Sequence, residues 1–183
     1  MTALLLPDRY RQMPWANGKG TTVEMLRLDG PEGMLLRLSR ASVVEDGEFS
    51  VFARVNRNLT VLSGPGFTLM GAGIALQAKP LVPVGFPGDV LIRAVGVSGP
   101  SDDFNVMTSQ LLPKPRVLVL KPGQSVGGRW VLAYALAPAR VSGRDLPERG
   151  LLVLEGMVRV ESGGPVIGVS VTGLSEDQMR KIG

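Results

Sequence analysis

The chain has 183 residues and a formal net charge of +4, with 44% hydrophobic and 20% charged residues, a globular rather than disordered composition. It contains no His and no Cys, which excludes disulfides, zinc fingers, haem or iron–sulfur ligation, thiol nucleophiles and Ser-His-Asp triads; a metal would have to be a hard ion held by oxygens. The charge is spread out, with 8 basic and 7 acidic side chains in residues 1–60, 4 and 3 in 61–120, and 8 and 6 in 121–183, so the stripe that nucleic acid requires is missing.

From the N-terminus, Leu4-Leu5-Leu6 has no basic residues before it, so no secretory signal is expected. No run approaches 18 apolar residues, so no membrane span is expected and the expected address is the cytoplasm. Short apolar runs then recur between the 24 Gly and 14 Pro, at 34–38, 59–62, 67–70, 81–84, 90–97, 104–107, 117–120, 130–136, 151–154, 157–160 and 166–171. Runs of this length and spacing predict antiparallel strands of a sandwich or barrel. Two hairpins are expected, one turning at Ser63-Gly64-Pro65-Gly66 and one at Glu155-Gly156. Leu59-Thr60-Val61-Leu62-Ser63-Gly64 echoes Leu151-Leu152-Val153-Leu154-Glu155-Gly156, a hint of two related lobes that meet at Leu112-Pro113-Lys114-Pro115. At the C-terminus, Ser175 and Gln178 form a capping box and Leu174 and Met179 a hydrophobic staple, which predicts a helix of one or two turns.

Several motif matches fail. Asn17-Gly18-Lys19-Gly20-Thr21-Thr22 lacks the first glycine of a phosphate loop, and Gly20 separates Lys19 from the threonines. Gly64-Pro65-Gly66 sits in a turn rather than before a helix, unlike a dinucleotide fingerprint. Glu45, Asp46 and Glu48 read as a solvated turn around Gly47 more readily than as a calcium loop. Trp15 reads as a core plug.

Taken in order, Pro14-Trp15-Ala16-Asn17-Gly18-Lys19-Gly20-Thr21-Thr22, Leu36-Arg37-Leu38-Ser39-Arg40-Ala41, Asp46-Gly47-Glu48-Phe49-Ser50-Val51-Phe52, Arg57, Phe86-Pro87-Gly88-Asp89 and Asp102-Asp103-Phe104-Asn105-Val106-Met107 resemble the HutD/Ves family. The resemblance implies an all-β bicupin: two antiparallel, jelly-roll-like β-barrel lobes with one short C-terminal helix. Residues 1–112 would form the N-terminal lobe that carries the motifs, and 113–183 the C-terminal lobe, with exchange of strands between them allowed. It also implies a link to histidine utilisation in some members and to stress responses in others, without a settled enzymatic activity. Against the metal-cupin pattern, Arg57 falls at the glutamate position, Ser50 and Phe52 at the paired histidines, and Gly88 at the last histidine. None is a good metal ligand, and a guanidinium there repels cations, so a cupin site in this chain suits an anion.

Strand parity puts Arg37 and Ser39 on one face of 34–43, opposite Leu36 and Leu38. The candidate ligand-binding residues are Arg37, Ser39, Ser50, Arg57, Asp103, Asn105 and Asn17. Arg37 and Arg57 are expected to share one pocket and hold a carboxylate in charge-assisted bonds. Each also has a plainer reading: Arg37 as a solvated strand-edge residue, Arg57 in a turn, Asp103 and Asn105 bonding backbone at a barrel corner, Ser39 and Ser50 as packing residues, Asn17 as loop former. The expected function is metal-free binding of a small carboxylate metabolite, in an accessory or regulatory role linked to histidine utilisation. No cofactor, metal or catalytic set is expected, and a homodimer is left open. The alternatives are a cofactor-independent isomerase or lyase, with Asp103 or a tyrosine as base, and a protein-interaction module with an inert barrel.

Overall fold

The structure is a computed structural model that describes residues 2–15 and 20–182. In chain order the strands are β1 (Thr2–Leu5), β2 (Arg11–Pro14), β3 (Thr21–Gly30), β4 (Gly33–Val43), β5 (Gly47–Glu48), β6 (Val55–Ser63), β7 (Phe67–Gly71), β8 (Ile74–Ala78), β9 (Val84–Pro87), β10 (Arg93–Val95) and β11 (Ser101–Ser109). There follow β12 (Arg116–Leu120), β13 (Ser125–Ala135), β14 (Ala139–Val141), β15 (Arg144–Leu146), β16 (Leu151–Gly163), β17 (Val166–Val171) and the helix α1 (Glu176–Met179). A single 3-10 turn, Pro7–Arg9, is the other helical element. The chain is therefore nearly all-β, as its short apolar runs between Gly and Pro imply.

The chain divides into two compact units. Residues 11–111 form one unit; residues 1–10 join 112–183 in the other. In the first, a six-stranded sheet in the order β2-β3-β4-β11-β6-β9 packs against a four-stranded sheet, β5-β10-β7-β8. Leu59, Val61, Phe67, Leu69, Phe86, Ile92 and Ala94 fill the space between them. The second unit has one seven-stranded sheet, in the order β12-β17-β13-β16-β14-β15, with β1 paired to β16. Its core runs through Val131, Ala133, Val141, Leu152, Val158 and Val160. Among the described residues neither large sheet closes on itself; the all-β character expected of jelly-roll-like lobes is present, and no closed barrel is.

Both expected hairpins are corrected. After β6 the Ser63–Gly66 turn carries the chain into the other sheet, and β6 and β7 do not pair. Gly64 has φ +92, and a Cβ on it would lie 2.2 Å from the Pro100 carbonyl oxygen; this close passage is open to glycine alone. Glu155-Gly156 turns nothing. Gly156 has φ +98 and sits where the register between β13 and β16 shifts, a bulge through which the strand continues. The capping box forms as expected, with Gln178 N–H donating to Ser175 Oγ and Ser175 N–H to Gln178 Oε1. Trp15 is half-buried rather than a core plug, and its Nε1 donates to Thr22 Oγ1 at 2.8 Å.

Candidate functional site

Three neighbouring strands of the six-stranded sheet, β4, β11 and β6, carry the polar residues of the first unit. Antiparallel pairing sets them abreast. Met107 stands opposite Arg37 on one side and Arg57 on the other; Asn105 opposite Ser39 and Leu59; Asp103 opposite Ala41 and Val61. Alternate residues of a strand share a face, so these residues all point the way that Leu59 and Val61 point, into the space between the sheets. The rung of Met107 extends to Arg27 on β3 and Phe86 on β9. On the opposite face Leu36, Leu38, Phe104 and Val106 are fully buried. The strand is apolar behind and polar within.

Arg57 is 8% exposed. Its guanidinium carbon lies 5.1, 5.5 and 5.1 Å from the ring centroids of Phe49, Phe52 and Phe86, an aromatic cage that offsets part of the loss of water. Nη1 donates to the Ser50 carbonyl at 3.3 Å and Nη2 to Asn105 Oδ1 at 3.2 Å. Nε has no hydrogen-bond partner among the described residues. Asn105 turns its other end to Asp103, with Nδ2 donating to Oδ1 at 2.8 Å. The amide thus bridges cation and carboxyl. Burial draws the Arg57 guanidinium down to about 10, with Asp103 opposing and Arg37 reinforcing the change. Burial pushes the Asp103 carboxyl up to about 7, against the pull of Arg57 and the Asn105 hydrogen bond. Asp103, 2% exposed, is therefore a buried acid poised near neutrality, while Arg57 stays charged.

Arg37 is equally buried and has a partner the sequence reading missed. Its Nε donates to Glu24 Oε2 at 2.6 Å, both side chains being about nine-tenths buried. Nη1 and Nη2 reach thioether sulfurs, Met107 Sδ and Met13 Sδ, each at 4.0 Å. Sulfur is a weak acceptor, so the end of the fork keeps most of its donor capacity. Arg37 lines a cleft of about 380 Å³, together with Arg27, Arg54, Glu32, Phe52 and Met107. Arg27 is paired with Asp29.

Of the predicted residues, Arg57, Asn105 and Asp103 form one hydrogen-bonded chain, and Arg37 and Ser39 share their face. Arg37 lines the cleft and Arg57 does not; Phe52 and Met107 stand at both. Ser50 enters this network through its carbonyl, and the residue is exposed. Asn17 lies outside the described residues. Ser50, Phe52, Arg57 and Gly88 do gather in space: Phe52 N–H donates to the Gly88 carbonyl at 2.7 Å, and a Cβ on Gly88 would lie 2.9 Å from the Val55 carbonyl oxygen. Glu24 was hidden by a register shift between Glu24 and Leu26, which brings Glu24 and Arg27 to one face despite their odd spacing. The Phe cage was more visible, since Phe49 and Phe52 flank Ser50. Asp46 accepts the Gly96 and Val97 N–H groups, which hold its carboxyl below the usual range.

Among the described residues no group of three or more Asp and Glu could hold a metal ion, and no helix is long and apolar enough to cross a membrane. Fold and site together define a nearly all-β protein with a buried arginine network beside a basic cleft. A family model, HutD, matches residues 7–158. The chain is 30% identical over 180 residues to an uncharacterized 21.2 kDa protein in the hutC 3' region of Pseudomonas putida, with 93% of this chain and 92% of the relative covered. It is 33% identical over 157 residues to the protein Ves of Cronobacter sakazakii, covering 80% and 85%. The solved structure of HutD from Pseudomonas fluorescens SBW25 superposes with a TM-score of 0.80 at 29% identity, covering 94% of this chain and 100% of that one. The chain belongs to the HutD family.

Proposed function

We propose that this chain is a metal-free bicupin that binds a small carboxylate metabolite in the cleft of residues 11–111, in an accessory or regulatory role tied to histidine utilisation in the cytoplasm. One observation carries the binding site: Arg37 lines a cleft, and among the described residues its Nη atoms have only thioether sulfurs as hydrogen-bond partners. A buried guanidinium gains most from an anionic acceptor. Glu24 takes Nε and sets the plane, leaving the Nη pair for a bidentate grip. Arg54 lines the same cleft and adds positive potential. Histidine utilisation is supported by family membership and by the hutC-region relative.

The test is a thermal-shift series with formate, urocanate, formylglutamate and glutamate on wild type and Arg37→Ala. Ligand at 100 times its dissociation constant stabilises the fold by about 2.7 kcal/mol, a shift of several degrees in a domain of this size. Wild type should respond to at least one carboxylate, and Arg37→Ala much less. No response from wild type, or equal responses, removes the assignment. A second reading, an isomerase or lyase with Asp103 as base, draws on its carboxyl standing near 7. Its burial behind Asn105, outside the cleft lining, weighs against direct contact with substrate. Turnover of a bound carboxylate would restore that reading.

A further inference from the structure

We infer that carboxylate binding in this cleft is coupled to protonation of Asp103 through Asn105 and Arg57, so that the site takes up an anion and a proton together. The inference rests on the reading of the cleft as a carboxylate site. The geometry is a connected line. Asp103 Oδ1 accepts from Asn105 Nδ2, Asn105 Oδ1 accepts from Arg57 Nη2, and Arg57 stands one strand from Met107 and two from Arg37 on the same rung. Arg57 Nε is a buried donor without a hydrogen-bond partner among the described residues, so the network has donor capacity to spare on its cationic side.

Few other charges act on Asp103. From β4 it meets the Ala41 N–H, and from β6 the positive charge of Arg57. Asp102 precedes it on β11 and is engaged by Arg40 and Ser42. Arg37, with Glu24 on its Nε, acts on Arg57. The sheet across the core contributes Phe67, Leu69, Ile92 and Ala94, none of which titrates. Arg57 is thus the main charge favouring the ionised acid, and burial is the main force against it.

An arriving anion changes that balance. It competes with Asp103 for the same positive potential. The cleft lies at the Met107 end of β11, four residues or about 13 Å along the strand from Asp103, and across an effective dielectric of about 20 an anion at that distance makes ionisation of a second acid roughly ninefold less favourable. Asp103 half-ionised before binding becomes mostly neutral after it. With the carboxyl starting near 7, the proton is drawn from solvent between about pH 6 and 8. Conversely, raising the pH ionises Asp103, and its charge then opposes the anion.

The probes are formate and formylglutamate, neither of which has a group titrating between pH 6 and 8, at constant ionic strength with chloride as the control anion. Affinity should be about fivefold tighter at pH 6 than at pH 8. Calorimetry in buffers of different ionisation enthalpy should count a fraction of a proton taken up per anion at pH 7. Asp103→Asn, which keeps the shape and can still accept from Asn105, should bind with no pH dependence and no uptake. Anion binding with flat affinity and no uptake in wild type, or uptake that survives in Asp103→Asn, overturns the coupling and leaves the site reading intact. If neither probe shifts wild type at any pH, and the Asp103 carboxyl carbon followed by NMR titrates near 4, the coupling falls on the unliganded protein alone. The wild-type measurements stand even if the variant fails to fold.

Discussion

Asp103 should also leave a mark on stability without any ligand, and Asp103→Asn is the perturbation that isolates it. In the unfolded chain the carboxyl titrates at its ordinary value of 3.8; in the fold, burial holds it at about 7. The folded state therefore binds the proton more tightly than the unfolded state does. Stability from this group is full below about pH 4, declines as the pH rises from 4 to 7, and is level above. At 1.36 kcal/mol per pH unit the decline amounts to about 4 kcal/mol, a large part of a typical 5–15 kcal/mol domain stability. Asparagine at 103 resembles the protonated acid and carries no such slope. Urea denaturation of both proteins from pH 4 to 8 should show nearly equal stability at pH 4, and a variant progressively more stable than wild type toward pH 8. Asp29 and Asp46, held below the usual carboxylate range by Arg27 and by the Val97 and Gly96 N–H groups, lose their contribution as the pH falls into the acid range. They do so in both proteins and cancel in the difference. Parallel pH curves, or a difference that shrinks toward alkali, would refute the argument that burial dominates at Asp103.

Glu24→Ala leaves the Arg37 guanidinium buried beside no carboxylate and should cost about 3–5 kcal/mol; a loss under 1 kcal/mol in urea denaturation would mean the pair is not buried as described. Gly64→Ala and Gly123→Ala both place a side chain at positive φ, but only at Gly64 does the new Cβ run into backbone, whereas at Gly123 nothing lies within 4 Å. The first should be destabilised by more than about 3 kcal/mol and the second by about 1 kcal/mol, and equal melting shifts would contradict the close passage at Pro100. Ser175→Ala removes the N-cap acceptor from Gln178 N–H and should cost about 1 kcal/mol, read as a drop in melting temperature; no change would mean that α1 does not depend on its cap.

Much was legible in the sequence, for local reasons. Ser175 and Gln178 predict their cap because a capping box is satisfied within four residues. Short apolar runs between Gly and Pro predict strands because a strand needs only five or six residues. The alternation of Leu36, Arg37, Leu38 and Ser39 predicts which face is polar because the period of a strand is two. The family motifs carried the residues that assemble around Arg57, and the absence of His and Cys set the chemistry before any geometry was known. Tertiary structure decided what depends on partners far along the chain. Gly64 and Gly156 look alike in sequence, yet one takes the chain to another sheet and the other lets a strand run on, because the outcome turns on what lies beside each glycine. Glu24 reaches Arg37 through a register shift, which breaks the period that parity reasoning relies on. The ionisation of Asp103 belongs wholly to the fold: its type sets an ordinary carboxyl, and only burial among Ala41, Val61 and Asn105, with Arg57 at the far end of the amide, lifts it to neutrality.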